Sequence, residues 1–434
     1  MRIVALCSSV FLITSLASCA RYEPEEPADS DPDLGPQGAS AGVGILAGDA
    51  APARISESEA ARIKAYIASR SDGFEVVEVV RDASGQAFDC APRDRQPGLR
   101  VREPGTGKVS FRPLDPIPDD VLEEVKSRAA RGTATRGEAD AQLDGVSCPA
   151  GTVPLKQQSF EAIARFGSLE AYLERYYEAP AITGHEYAKV DYTADNTGGA
   201  GVFNLWSPYT ATDAEFSLSQ IWIVRGSGSD KQTIEAGWQD YPNRTGAHSP
   251  HFFVYSTQDG YGSTGCYDDD CDDWVQLSST YSPGMGWSNY SVQDGSQYVF
   301  DMQIYRSSGS GNWYLIYKGD LMGYYPASLY DSAGLGSKAA RVSFGGEVAI
   351  DNTTRHSSTD MGSGHFASEG WQHAAYTRTL EYRSTGSVWA DIPYASVSTY
   401  ATDASCYSVD LNNSGSPWNT NFYFGGSGYN ASCP

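Results

Sequence analysis

Positive charge is scarce in this chain: 31 Lys and Arg stand against 54 Asp and Glu in 434 residues, a formal net charge of -23. Such a field repels phosphate backbones and anionic lipid, which excludes nucleic acid or an acidic membrane face as the main partner. Histidine is scarce too, at 6 residues, and neither CxxC nor HExxH occurs, so no zinc spacing and no cofactor are expected. GxSxG is also missing. The fragment MGSGHF holds Ser363 and His365 two apart with no third group evident, which sets a serine nucleophile aside. After residue 18 no apolar run approaches the roughly 20 residues that a membrane helix requires.

What is present begins with an export signal. Arg2 precedes an apolar stretch from Ile3 to Leu16 and the small residues Ala17 and Ser18. Leu16, Ala17, Ser18 and Cys19 resemble the lipobox of bacterial lipoproteins, which implies acylation of Cys19 and a lipid-anchored cell-envelope protein. Residues 19–52 are rich in Pro, Glu, Asp, Gly and Ala and read as a disordered tether. With Cys7 in the signal and Cys19 lipidated, six exported cysteines remain, enough for three disulfides. Fifteen pairings are possible; nearest neighbours in sequence are favoured, Cys90 with Cys148, Cys266 with Cys271, Cys406 with Cys433. The sequons at Asn243, Asn352, Asn412 and Asn430 are incidental in such a protein.

Residues 53–183 read as a small α+β region. Ser56 and Glu59 have capping-box spacing ahead of Ile63 and Ile67, and a hairpin spans Phe74–Val80 and Gln86–Cys90. A second helix follows Pro118, and its tail, Ser127 to Gln142, is expected to be exposed and protease-accessible. A third helix is expected from Ser159 to about Tyr177, weakened at Gly167 and closed by Pro180. From residue 184 the composition turns to Gly, Ser, Thr, Tyr and Trp, with strand-like runs such as FSLSQIWIV, HFFVYST and AARVSFGGEVAI. This predicts an all-β antiparallel sandwich over 184–434. The run YDDDCDD lacks EF-hand spacing and is expected to be a solvated acidic loop pinned by Cys266 and Cys271.

Two glutamates stand out within that region. Glu235 in TIEAGW and Glu347 in FGGEVAI each lie in an apolar strand-like stretch. If both face one cleft their ionisation is coupled, and the pair can do acid and base work together. Gln220, Trp222, Trp238, Tyr255 and Tyr261 are candidates to line that cleft, with core packing as the equal alternative for each.

The segments HEYA at His185, FSLSQIW at Phe216, TIEAGW at Thr233, DGY and TGCY between Asp259 and Tyr267, FGGEV at Phe344 and MGSGHF at Met361 resemble the neprosin family of glutamic endopeptidases, in order and spacing. CPAGTVP from Cys148 resembles the end of that family's activation domain. The resemblance implies a concanavalin-like, glutamic-peptidase-like sandwich behind an inhibitory prodomain, with Glu235 and Glu347 catalytic. It also implies a zymogen that cleaves proline-containing peptides or proteins at acidic pH; a monomer is expected. Two rivals remain open: a retaining glycoside hydrolase with paired glutamates, and a non-catalytic surface module that binds carbohydrate or mediates adhesion.

Overall fold

A computed structural model describes residues 55–130, 133–173, 184–350 and 355–433, all within one compact unit, Asp49–Pro434. The expected signal, tether and Cys19 anchor lie outside the described residues. Among the described residues no helix is long and apolar enough to cross a membrane.

Helix α1 (Glu57–Ser69) begins where the capping signal predicts: Ser56 Oγ accepts the Glu59 N–H at 3.2 Å, and Ile63 is its buried contact. Strands β1 (Glu78–Arg81) and β2 (Ala87–Pro92) form the expected hairpin. A short ribbon follows, β3 (Arg100–Arg102) with β4 (Val109–Phe111), then α2 (Asp119–Ala129). The tail of α2 departs from expectation only in part: most of its described residues are exposed or half-buried, but Arg128 and Ala141 are buried. Strand β5 (Glu138–Asp140) pairs in parallel with residues 297–299 of the main sheet, and Ala141 and Leu143 are buried in its core. The apolar pair Ala141 and Leu143, two apart, supplies the burial that the polar composition around it concealed.

Strand β6 (Thr152–Lys156) joins β2, beside the Cys90–Cys148 disulfide. The single third helix is replaced by two short ones, α3 (Phe160–Ala164) and α4 (Leu169–Leu173). Gly167 takes φ +79°, a left-handed geometry that ends α3, and Ser168 Oγ accepts the Ala171 N–H to start α4. Residues 174–177 and Pro180 lie outside the described residues.

The rest is antiparallel β structure. In chain order it comprises β7 (Gly184–Asn204), β8 (Phe216–Arg225), β9 (Gln232–Asp240), helix α5 (Pro242–Thr245), β10 (His251–Thr257), β11 (Cys266–Tyr267) and β12 (Val275–Gln276). There follow β13 (Gln297–Arg306), β14 (Trp313–Tyr317), β15 (Asp320–Tyr325), β16 (Ala339–Ile350), β17 (Ala375–Ser384), β18 (Trp389–Asp391), β19 (Val397–Ala401), β20 (Ser408–Asn413) and β21 (Thr420–Gly425). With β5 they make one 16-stranded sheet.

The long strand β7 folds this sheet upon itself. Its first half pairs with β16, and its second half, from Gly198, pairs with β13 and β17. A side chain at Gly198 would stand 2.5 Å from the Ile304 carbonyl oxygen, so glycine permits the crossing. One layer runs β11-β10-β9-β8-β16-β7. Its inner face, with Ile221, Ala236, Trp238, Val254, Phe344 and Val348, packs on Phe203, Phe300, Leu380 and Phe424 of the other layer. The predicted sandwich is therefore present, and each large ring buried there is worth roughly 2–3 kcal/mol in transfer free energy.

The acidic loop is solvated only at its end, where Asp272 is exposed. Asp268, Asp269 and Asp270 are buried. Arg244 pairs with Asp268, Arg70 with Asp269 at 3.6 Å, and Gln158 and the Tyr172 hydroxyl bond Asp270 Oδ1. Donors from distant parts of the chain neutralise the run, which its local sequence could not reveal. The Cys266–Cys271 disulfide that pins it, and Cys406–Cys433, form as expected.

Candidate active site

Alternation along three adjacent strands puts Glu235, Gln220 and Glu347 on the outer face of one layer. The strand order is β9-β8-β16. Gln220 stands opposite Gly237 on one side and Gly345 on the other, while Glu235 pairs with Trp222 and Glu347 with Leu218. The two glycines leave a trough at Gln220. A Cβ at Gly237 would lie 2.0 Å from the Ser219 carbonyl oxygen, and one at Gly345 2.5 Å from that of Ala188, so neither position accepts a side chain.

Gln220 Nε2 donates toward both carboxyls, 3.1 Å from Glu235 Oε2 and 3.4 Å from Glu347 Oε2. Glu235 Oε1 accepts the Tyr261 hydroxyl at 2.6 Å and the Thr233 hydroxyl at 2.7 Å. Glu347 Oε1 lies 2.6 Å from His185 Nδ1. Both glutamates are buried, at 6% and 7% exposure. Desolvation pushes the Glu235 carboxyl up to about 7; the hydroxyl bonds oppose this, and the Glu347 charge adds to it. Burial, with the nearby Glu235 charge, likewise holds the Tyr261 phenol well above its ordinary range, so it remains a donor.

An aromatic and aliphatic wall surrounds the pair: Phe216, Leu218, Trp222, Tyr241, Phe253, Tyr255 and Tyr267, with Tyr187 and Tyr261 packed against it. The Tyr261 ring stacks on Tyr255, centroids 5.9 Å apart. Of the cleft candidates, Gln220, Trp222, Tyr255 and Tyr261 lie on this face. Trp238 does not. It is three residues from Glu235 on the same strand, hence on the opposite face, fully buried, with its indole N–H on the Asn204 carbonyl at 3.0 Å. Core packing is its role.

Thr233 and His185 were not foreseen as site residues. Thr233 was legible in principle, since it is two residues from Glu235 and so shares its face. His185 carried only the motif HEYA as a signal, since its contact with Glu347 is made from β7, whose Tyr187 pairs with Glu347. Ser363 and His365 form no nucleophilic arrangement: Ser363 Oγ accepts the His365 backbone N–H, and the His365 ring bonds Glu369 and Gln293.

Together these features define a class, an antiparallel β-sandwich with a buried pair of glutamates on one outer sheet face. Residues 213–427 match the family model described as Neprosin, so this part of the chain is a neprosin-family domain. By that match it is a peptidase of the glutamic type. The matched range includes Gln220, Glu235 and Glu347 and begins after β7, which carries His185. Among solved structures, scytalido-glutamic peptidase with a peptide-based transition-state analogue is 9% identical, with a TM-score of 0.30 over 57% of this chain and 99% of that one. An eqolisin-family peptidase, SCP-B, in complex with the tripeptide Ala-Ile-His, is 10% identical, with a TM-score of 0.28 over 56% and 98%. Scores this low carry no conclusion.

Proposed function

We propose that Glu235 and Glu347 form a catalytic dyad that activates water against a peptide bond in acid. The observation that carries this reading is the shared donor: one Gln220 amide reaches both carboxyls, so the two stand within reach of a single water and a single scissile carbonyl. Glu235, whose carboxyl holds its proton up to about pH 7, acts as the acid that hydrogen-bonds the developing oxyanion alongside Gln220 Nε2. Glu347, in contact with His185, takes the proton of the attacking water. No covalent intermediate is required. Activity falls as pH rises through the Glu235 value, because the acid is lost and two adjacent anions repel the nucleophile's developing charge. A pair of carboxyls sharing one donor also occurs in the logic of a retaining glycosidase; the family match over residues 213–427 favours the peptidase.

The half-buried rings of Tyr187 and Tyr261, backed by the buried Phe216 and Tyr255, offer flat apolar surface of the kind that packs a proline ring, and this supports a preference for proline-containing peptides. Residues 53–183 are read as an inhibitory prodomain. Its described part is bound to the β domain by Arg70 at the Asp269–Asp270 loop and by β5 in the sheet. Export and anchoring through Cys19 complete the proposal. A peptide-library digest at acidic pH, run beside Glu235→Gln, tests class and specificity together; equal cleavage by both proteins would refute the dyad. Mass spectrometry after acidification tests the prodomain, and an intact, fully active chain would refute it.

A further inference from the structure

Two histidines with no part in the dyad, His365 and His373, lie with Glu369 on the segment after Met361 and meet the turn at 292–295. Glu369 Oε1 accepts the Phe366 N–H at 2.9 Å. Its Oε2 faces both rings, 2.8 Å from His365 Nδ1 and 3.7 Å from His373 Nδ1. On the far side each ring meets an acceptor from the other loop. Gln293 Oε1 is 3.2 Å from His365 Nε2, and Asp294 Oδ1 is 3.0 Å from His373 Nε2.

A neutral imidazole carries one N–H and one lone pair. His365 has an acceptor at hydrogen-bond distance on both nitrogens, so in the neutral ring one lone pair faces an oxygen, while His373 has its close acceptor at Nε2 and leaves Nδ1 turned toward Glu369 Oε2 at 3.7 Å. A cation between the two Nδ1 atoms and Glu369 Oε2 removes the conflict at His365: the Nδ1 lone pairs bind it, and each Nε2–H donates outward to Gln293 or Asp294. Metal-binding histidines are oriented by such outer acceptors.

We propose that His365, Glu369 and His373 form a binding site for a divalent cation of the zinc class, with Gln293 and Asp294 orienting the two rings. Two imidazoles and one carboxylate suit zinc, with water as the fourth ligand. The three ligand atoms lie within 4.8 Å of one another. A tetrahedral ion about 2.1 Å from each draws them to about 3.4 Å apart, a small rotation for side chains 28–39% exposed. The sequence shows no familiar zinc spacing here because HxxxExxxH is not carried on a helix. A single 3-10 turn, Ala367–Glu369, followed by Gly370 at φ +67°, folds the three residues together. Bound metal would fasten this segment to the 292–295 turn, already joined by Asp294 N–H to the Gln372 carbonyl at 3.2 Å and by Gln372 Nε2 to the Gly295 carbonyl at 3.0 Å.

The test is titration of the chelator-treated full chain with Zn²⁺, and with Co²⁺ for its visible spectrum, at pH 7.5. One equivalent is expected to bind, with a rise in melting temperature. His373→Gln and Glu369→Gln should each weaken binding at least tenfold, and Asp294→Asn should weaken it measurably through the ring it orients. His248→Gln, at a histidine paired with Asp213 elsewhere, should leave binding unchanged. Melting temperatures of the metal-free variants, expected to match the parent chain, separate loss of ligand from loss of fold. No stoichiometric binding, or equal binding by the His373 and His248 variants, would overturn the site.

Discussion

Glu235 and Glu138 both have buried side chains with nearly matched hydrogen-bond partners, yet they end in opposite states. Each accepts a tyrosine hydroxyl, Tyr261 at 2.6 Å or Tyr376 at 2.7 Å, and each accepts a threonine hydroxyl, Thr233 at 2.7 Å or Thr135 at 2.8 Å. Around Glu138 burial is outweighed by Arg378, whose guanidinium donates to both carboxylate oxygens, at 2.9 and 2.6 Å, and its carboxyl is held below the ordinary range. Around Glu235 the third donor is the neutral amide of Gln220 and the nearest charge is Glu347, so burial wins and the carboxyl rises to about 7. The lesson is that hydroxyl donors alone do not decide the proton. A cation makes one carboxylate a structural pin, which here ties β5 to the sheet, and its absence leaves the other able to exchange a proton near neutral pH.

The comparison can be broken most forcefully at the dyad. Glu347→Gln should cut peptidolysis by about a thousandfold or more while the circular dichroism spectrum is kept, since both acid and base roles need a titrating carboxyl. A variant within tenfold of the parent would end the dyad reading. At the other glutamate, Arg378→Met strands a buried carboxylate and should cost about 3–5 kcal/mol by denaturant titration, with activity per folded molecule unchanged. A cost under about 1 kcal/mol would mean that Glu138 simply takes up a proton.

A third prediction concerns pH. Between 4.5 and about 7 the folded chain holds a proton on Glu235 that the unfolded chain has lost, so this group's contribution to stability declines as pH rises across that window. Glu235→Gln removes the effect, and its stability relative to the parent should grow by about 2–3 kcal/mol from pH 4 to pH 8. A flat difference would place the Glu235 value near that of an exposed glutamate. The smallest effect is expected from Tyr261→Phe. Loss of a hydrogen bond that favours the anion should move the alkaline limb of the activity profile upward by about half a pH unit to one unit. A downward shift would show that the hydroxyl serves the protonated form instead.

Much of this was legible residue by residue. Ser56 announced its helix, the nearest-neighbour disulfides formed, and the apolar runs became strands. Where expectation failed, a simple rule was set aside or a distant partner was needed. Trp238 could have been assigned to the core by parity with Glu235. Ala141 and Leu143 were hidden in a polar tail whose order depends on a strand more than 150 residues away. The YDDDCDD loop looked solvated because Arg70 and Arg244 reach it only in the folded chain.

By itself the sequence determined which residues share a strand face, because alternation is local geometry, and it marked Glu235 and Glu347 as carboxyls set in apolar strands. That β8 lies between β9 and β16, that one glutamine therefore serves two glutamates, and that His185 arrives from β7 were decided only by tertiary pairing. The β8–β9 pairing is a hairpin between neighbours in sequence, but β16 reaches β8 across more than a hundred residues, and no local pattern encodes that contact.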